Sequence, residues 1–364
     1  IPVDWTLEHT MYIRQDWLDN LNEPSKLRKC LADEKGISES QVTEKMLEEE
    51  KYEVPETLLD FYRVARAFTL YDPDGNGKND TYGYTSTQEL WTDNWIYNAF
   101  NAGWNFMIDD DGDGVYTSSW VTEGAKKAVA FTNRLYQEGY MAKGWNENDM
   151  GKKQDQFMQG KVGMIEAHAW YNTILKGFIE KNSAADNKMT IEEASEKIAM
   201  FAPPKGPDGY YGIASNPNFW TVTCLNAHMS EKERDAALSL IDFMFSEEGE
   251  ELFTYGLEGT HYTVNDDGEK ELIQEQDSSG FNKLLEDRDS AFIISSVTNW
   301  SRSYLSPFAT NSEKIVSTLE KAKEYNRFAD YPFVQPDSYI KSWKSLADHA
   351  ETTFFNAVLE KDYY

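Results

Sequence analysis

The five residues Lys161–Ile165, KVGMI, form a short apolar run between helical stretches, and reading them as a buried strand decides the fold class. Two further runs of this kind follow at Ile198–Phe201 and at Trp220–Cys224 (WTVTC). Working outward, Glu56–Phe68 (ETLLDFYRVARAF) places Leu58, Leu59, Tyr62, Ala65 and Phe68 at helical spacing behind Pro55, a residue suited to a first turn. Glu123–Tyr136 gathers Ala125, Val129, Phe131, Leu135 and Tyr136 toward one side and stops at Gly139, a fitting C-terminal cap. Ser230–Phe245 opens with the capping-box pattern SEKE and carries Ala236, Leu240, Ile241 and Phe245. Tyr339–Leu359 reads as another long helix. Helices alternating with short strands predict an α/β fold. Loops fall at Asp72–Tyr84, Asp109–Ser119, Pro203–Pro217 and Asp266–Gly280, and no Gly/Ser/Pro linker separates consecutive domains. Two lobes sharing an interleaved chain are therefore expected.

A length of 364 residues suits two lobes. The chain carries 63 acidic against 35 basic residues, a net charge of −28, and a surface that acidic repels phosphate backbones, which argues against nucleic acid. No apolar run approaches the ~20 residues of a membrane span. Two cysteines, Cys30 and Cys224, make no disulfide framework and are expected as free thiols, Cys224 as a small buried hydrophobe ending its strand. Eleven tryptophans exceed what packing alone usually requires. The opening Ile1-Pro2-Val3-Asp4-Trp5 has no initiator Met, basic n-region or apolar segment, which leaves open a removed signal or a start within a longer protein.

The sharpest local motif is Asp72-Pro-Asp74-Gly-Asn76-Gly-Lys78-Asn-Asp80. Oxygen side chains fall at loop positions 1, 3, 5 and 9, the carbonyl at position 7 is that of Lys78, and Gly77 stands at position 6 where a calcium loop turns sharply. Position 12 is Gly83, so the usual bidentate Glu is missing. A structural Ca²⁺ is expected here on Asp72, Asp74, Asn76, Lys78 and Asp80; the competing reading is a polar surface turn. In the second acidic loop, Asp109–Gly114, Thr117 and Trp120 occupy positions 9 and 12, so a solvated turn is the better reading. Trp104, Trp170, Trp220 and Trp300 lie beside Asn, His, Arg or Thr near the ends of elements, where a flat indole and hydrogen-bonding neighbours suit a sugar ring; each is as readily a core residue. No GxSxG, HExxH, P-loop or GxGxxG is present, and the five histidines show no metal spacing.

Several blocks, in order, resemble the family 1 extracellular solute-binding proteins, the lipoprotein receptors of Gram-positive sugar importers. They are Met11–Asp19 (MYIRQDWLD) with Val54–Tyr62 (VPETLLDFY), the acidic loop Asp72–Thr85, Leu135–Gly139, Phe157–Met164 (FMQGKVGM), Pro204–Gly209, and Ser246–Gly249 with Tyr255–Tyr262 (YGLEGTHY). The resemblance covers residues 11–262. It implies a two-lobed periplasmic-binding-protein-like fold of type II with an interleaved chain and a hinge. The division expected is 1–205 as the larger lobe with the calcium loop, 206–256 as a contribution to the second lobe, and 257–364 as a return to the larger lobe and hinge. About a hundred residues usually precede the first block in this family and ten do here, so the chain is expected to be part of a longer protein.

The implied function is capture of an oligosaccharide between the lobes, without catalysis, and delivery to the permease subunits of an ABC importer. The protein would sit at the surface of a Gram-positive cell, on a lipid anchor not present in this chain. The expected ligand residues are Trp104, Trp170, Trp220, Glu258, Tyr262, Trp300 and Arg302. Trp170 follows the KVGMI strand, Trp220 opens WTVTC after Asn216 and Asn218, Arg302 and Tyr304 follow Trp300, and the Glu258 carboxylate suits two sugar hydroxyls. A glycosidase using two cleft carboxylates such as Glu166 and Glu258 is the alternative. A calcium-bearing adhesion module would need repeats, and the sequence has none.

Overall fold

The computed structural model describes residues 9–88, 90–103, 107–108, 117–168, 171–184, 187–215, 224–273, 275, 317, 326–328 and 337–361. In chain order the elements are β1 (His9–Arg14), α1 (Gln15–Leu21), α2 (Pro24–Lys35), α3 (Glu44–Glu49), α4 (Leu58–Leu70), β2 (Tyr82–Tyr84), α5 (Asn94–Ala99), β3 (Met107–Ile108), β4 (Thr117–Ser118) and α6 (Glu123–Gln137). Next come α7 (Met150–Met158), β5 (Val162–His168), α8 (Tyr171–Asn182), α9 (Ile191–Lys197), β6 (Ile198–Phe201), β7 (Ile213–Ser215), α10 (Glu231–Met244), α11 (Glu247–Tyr255), β8 (Tyr262–Val264), β9 (Lys270–Leu272), β10 (Asn326–Phe328) and α12 (Asp337–Leu359). No helix among the described residues is long and apolar enough to cross a membrane.

Four strands make the central sheet in the order β2-β5-β1-β6. β2 runs parallel to β5, and β1 runs antiparallel to both β5 and β6. Successive residues of a strand face opposite ways, and here both faces are buried. Met11, Ile13, Met164 and Phe201 join Trp17, Leu31, Phe61, Phe68, Trp95 and Val129 in one core. Tyr12, Val162, Ile165, Ala167 and Ile198 join Phe157, Tyr171, Ile174, Phe178 and Ile191 in the other. The layers are thus helix, sheet, helix. The KVGMI strand extends beyond its sequence reading to His168, and Ile198–Phe201 is a strand over the expected residues.

α4 shows how the sequence sets this packing. Its N-cap is Thr57, whose hydroxyl accepts from the Asp60 amide at 3.2 Å while the Asp60 carboxylate accepts from the Thr57 amide at 3.0 Å. Phe61, Val64, Ala65 and Phe68 form the buried stripe. Leu59, expected on it, is 75% exposed, because two residues before Phe61 is about 200° around the helix. α4 lies close on the sheet because Gly83 and Gly163 lack side chains. A Cβ at Gly83 would meet the Ala65 backbone at 2.3 Å, and one at Gly163 would meet the Phe68 ring at 2.1 Å.

α6 runs from its Thr122 cap to Gln137, and Gly139 follows with φ of 81°, as the sequence suggests. Phe131 and Tyr136 are only partly buried; Ala128, Thr132 and Asn133 take the buried face instead. α12 docks on α6 through its final turns. The Asn133 side-chain amide donates to the carbonyls of Ala357, Val358 and Glu360 at 3.0, 2.9 and 2.8 Å, answering acceptors that a helix end leaves open. Phe354 stacks on Tyr97, and Phe355 lies 5.3 Å from Trp145.

The segment 224–273 differs from expectation. α10 has its predicted capping box, Ser230 with Glu233, but among its described side chains only Met244 is buried. Leu240 and Phe245, two of the apolar residues that marked the helix in the sequence, are 55% and 44% exposed. Both cysteines are free; Cys30 is buried and Cys224, expected inside, is exposed. Most of the WTVTC strand candidate, 220–223, lies outside the described residues.

Candidate functional site

The sheet topology brings several chain crossings to one end. β2 and β5 run parallel, and β6 runs with them because both β5 and β6 oppose β1. The carboxyl ends of β2, β5 and β6 therefore share an edge with the amino end of β1, the edge at which open α/β sheets border ligand crevices. From it the chain continues to Thr85 and Ser86 after β2, to 169–170 after β5 and to Ala202 after β6.

A buried polar network underlies this edge. Glu166 of β5 accepts from Lys153 Nζ of α7 at 2.7 Å with Oε2 and pairs with His9 Nδ1 of β1 through Oε1. Lys153 and Glu166 are fully buried and His9 nearly so. Burial alone would push the Glu166 carboxyl up, but the His9 and Lys153 charges outweigh it and hold the group down at about 2. His168, across from His9 in the β1–β5 register, lies with its ring centroid 4.2 Å from that of His9, and its carbonyl accepts from the Tyr12 hydroxyl at 2.8 Å.

Beside this group lies Asp93, also fully buried, whose carboxylate accepts from Tyr84 Oη at 2.5 Å and Ser86 Oγ at 2.6 Å. Trp95 Nε1 in turn donates to Tyr84 Oη at 3.1 Å. Burial pushes the Asp93 carboxyl up to about 6, although Ser86, Tyr84 and the Lys153 charge pull it down. Asn148 ties the same stretch from α7's side, donating to Thr85 Oγ1 at 3.1 Å and to the Ser86 carbonyl at 3.2 Å. Sequence reading missed this network. Its one signal was a run of small polar residues, Thr85-Ser-Thr, directly after a strand.

Glu166 is thereby removed as a cleft acid: it is ionised, enclosed and held by two partners, whereas a glycosidase acid must reach its substrate. The second residue, Glu258, is exposed, and its backbone pairs with that of Tyr262 in an isolated β-bridge. Both line an open groove of about 730 Å³ with Ser246, Glu247, Glu248 and Glu251. Tyr262 is buried, and its hydroxyl donates to Glu251 at 2.9 Å, where Lys270 also binds at 2.8 Å. The structure thus brings Glu258 and Tyr262 together. Trp104, Trp170, Trp220, Trp300 and Arg302, with Asn216, Asn218 and Tyr304, lie outside the described residues, as does the whole of the second acidic loop, Asp109–Gly114.

The acidic loop Asp72–Asp80 is closed on itself. The Gly77 amide donates to both Asp72 carboxylate oxygens at 3.2 and 3.1 Å, and Asn76 Nδ2 donates to Asp74 at 2.8 Å and Asp80 at 3.1 Å. Asn20 Nδ2 and Lys26 Nζ hold the loop's Pro73 and Asp72 carbonyls. Burial pushes the Asp74 carboxyl up, and Asp72 and Asp80 add to the rise. All five expected donors offer oxygen, the chemistry a hard cation takes, and the crowded carboxylates would be relieved by one. Among the described residues, however, no group of three or more His, Cys, Asp or Glu side chains is arranged to hold a metal.

Similarity to known proteins agrees with this fold. The chain is 27% identical over 261 residues to the polygalacturonan/rhamnogalacturonan-binding protein YtcQ of Bacillus subtilis, an alignment covering 70% of this chain and 43% of that protein. It is 29% identical over 225 residues to the lipoprotein LipO of the same organism, covering 59% of this chain and 42% of LipO. The chain thus matches less than half the length of either relative. Among solved structures, the S. pneumoniae ABC-transporter substrate-binding protein FusA in complex with kestose superposes with a TM-score of 0.58 at 16% identity, over 99% of this chain and 67% of that one. An EF-hand mutant of FusA with fructo-nystose superposes similarly, with a TM-score of 0.56 at 15% identity over 99% of this chain and 67% of that one. The fold is the α/β periplasmic-binding-protein-like fold. The model of the bacterial extracellular solute-binding protein family matches residues 32–263, and the chain belongs to that family.

Proposed function

We propose that this chain is the ligand-capturing part of a non-catalytic receptor for an ABC importer, and that it takes a neutral oligosaccharide at the carboxyl end of its sheet. The observation that carries the reading is the meeting of three strand ends at one edge above a buried polar network, in a chain of the solute-binding family. Trp170 follows β5 by two residues, and stacking on it, on Trp220, on Trp300 and more weakly on Trp104 would hold sugar rings, with Arg302 and Glu258 as hydrogen-bonding partners. The lobe division remains 1–205, 206–256 and 257–364, and the docking of α12 on α6 supports the return of the last segment to the first. A permease and a lipid-anchored place outside a Gram-positive cell follow from the same reading. Ca²⁺ would be structural, on Asp72, Asp74, Asn76, Asp80 and the Lys78 carbonyl, fastening the end of α4 to β2.

Calorimetric titration with kestose, maltotriose and a galacturonic-acid trimer tests the ligand class. Uptake of a neutral trisaccharide with release of no reducing ends is expected. Binding of the uronate alone would overturn the neutral reading, and turnover of any of them would overturn the non-catalytic one.

A further inference from the structure

The loop that joins α11 to β8 is closed by one half-buried residue, His261, acting in two ways. Its amide donates to the Leu257 carbonyl at 2.8 Å, and the Leu257 amide donates back to Nδ1 of its ring, also at 2.8 Å. The ring is seated against Gly256, where a Cβ would meet Nδ1 at 2.6 Å. Gly256 also holds a φ of 84°, which residues with side chains rarely adopt. The His261 carbonyl in turn accepts from the Ile273 amide at 3.0 Å, tying the loop to the chain just past β9. Gly256, Leu257, Glu258 and Tyr262 of this stretch line the open groove described above.

A ring nitrogen that accepts from an amide has its lone pair free, so His261 is a neutral imidazole with its proton on Nε2. The imidazolium form carries N–H at both nitrogens and has no acceptor. Taking up a proton therefore sets one N–H against another and leaves the Leu257 amide without its partner. The groups on the packed elements are of other types: Glu258 on the loop, Glu251 and Tyr255 of α11, Tyr262 of β8, and Lys270 and Glu271 of β9. Glu251 pairs with Lys270 at 2.8 Å and accepts from the Tyr262 hydroxyl at 2.9 Å, Lys270 lies 4.1 Å from the centroid of the Tyr255 ring, and Glu271 accepts from Asn265 at 3.0 Å. Of these side-chain types, the imidazole is the one whose charge ordinarily changes between about pH 5 and 8.

We propose that His261 is a pH-sensitive latch: neutral, it closes the 256–262 loop through the Leu257 amide, and protonated, it releases that loop. The latch is in place at the upper end of the imidazole range and is lost as pH falls through it. Its release loosens the wall of the groove on which Leu257 and Glu258 stand, so the shape of that groove follows pH without any change in the sheet layer.

Millisecond hydrogen–deuterium exchange at the Leu257 amide, scaled to the intrinsic rate at each pH, tests this in the full chain. Protection in wild type should be about tenfold greater at pH 8 than at pH 5, the worth of one hydrogen bond. His261→Asn places an acceptor, Oδ1, where the imidazole has Nδ1 and does not titrate, so it should keep the higher protection at both pH values. His261→Ala should show the lower protection at both. The proposal is overturned if wild type is protected equally at the two pH values, or if His261→Asn keeps the pH dependence. It is also overturned if the Ile165 amide of β5 loses protection in parallel, since the response would then be global. Should His261→Asn fail to fold, nitrogen NMR of wild-type His261 decides: a bare Nδ1 at pH 8 is expected, and a proton on Nδ1 at that pH overturns the latch.

Discussion

The sheet layer at residues 9–201 and the segment at 224–273 are built with the same local signals and end with opposite burial. α4 and α10 each begin at a capping box, Thr57 with Asp60 and Ser230 with Glu233. Each carries apolar residues at helical spacing. Yet α4 buries Leu58, Phe61, Val64, Ala65, Ala67 and Phe68, whereas α10 buries Met244 alone among its described side chains and leaves Leu238 and Leu240 exposed. Capping and periodicity are local and make the helix; burial needs a facing layer, which the central sheet supplies to α4.

The largest test of that contrast is at the charged heart of the sheet layer. Lys153→Met leaves the enclosed Glu166 without its ammonium partner, and should cost about 3–5 kcal/mol in urea unfolding. A loss below about 1 kcal/mol would mean that water reaches the carboxylate. Close behind, Phe61→Ala removes a ring packed on Tyr84 and Trp95 at 5.3 and 4.9 Å and should cost about 3–5 kcal/mol, whereas Leu240→Ala in α10 should stay within about 0.5 kcal/mol. Equal losses would erase the distinction between the two regions.

The pH profile sharpens the comparison further. Glu166 lies below its usual value, so its contribution to stability is present above about pH 4.5 and is lost as pH falls toward 2. Asp93 lies above its usual value, so stability falls as pH rises from about 3.8 to about 6. For these two groups alone, stability peaks between roughly pH 4 and 5. Glu166→Gln should remove the acid limb and Asp93→Asn the other; urea midpoints across pH would reveal either limb surviving its variant.

Calcium is expected to add about 2.7 kcal/mol at a hundredfold excess over Kd, so the melting temperature should fall with chelator and recover with the ion. An unchanged melting curve, with Asp74→Ala also silent, would leave the loop as a polar turn. The smallest effect is at the caps. Thr57→Ala and Ser230→Ala should each reduce stability by about 1 kcal/mol, in a comparison of equals despite the difference in burial.

What the sequence made legible follows the same division. Ile198–Phe201 and the KVGMI core of β5 were readable because continuous apolar runs bounded by turns carry their own signal. β1, HTMYIR, is the strand flanked by β5 and β6, yet it does not alternate in polarity, because both its faces are covered and its ends carry His9 and Arg14. Leu59 and Phe61 differ only in which side of the helix meets the sheet, and spacing alone did not choose between them. Glu166 looked like a cleft acid among 63 acidic residues, since His9 comes from a strand 157 residues away and Lys153, though only 13 residues back on the preceding helix, carries no local motif that marks it as a partner. The acidic loop was legible as a loop because its offsets are local. The aromatic expectation was harder: Trp17, Trp95 and Trp145 are all core residues, and nothing in their neighbouring letters distinguishes them from the tryptophans read as ligand platforms.

The clamp that Asn133 places on the last carbonyls of α12 has a mechanical side. Residues 350–359 include the docked part of the helix, with Ala350 and Val358 buried, while the described side chains over 341–349 are mostly exposed. The helix is thus a cantilever, gripped over its final turns, with roughly 20 Å of rod reaching back from the grip at 1.5 Å per residue. At that reach a tilt of about 6° at the grip sweeps the far end through about 2 Å. Side-chain adjustments around Asn133, Phe354 and Phe355 would emerge magnified at Asp337, so the stiffness of a few amide contacts governs how far the start of the helix can travel.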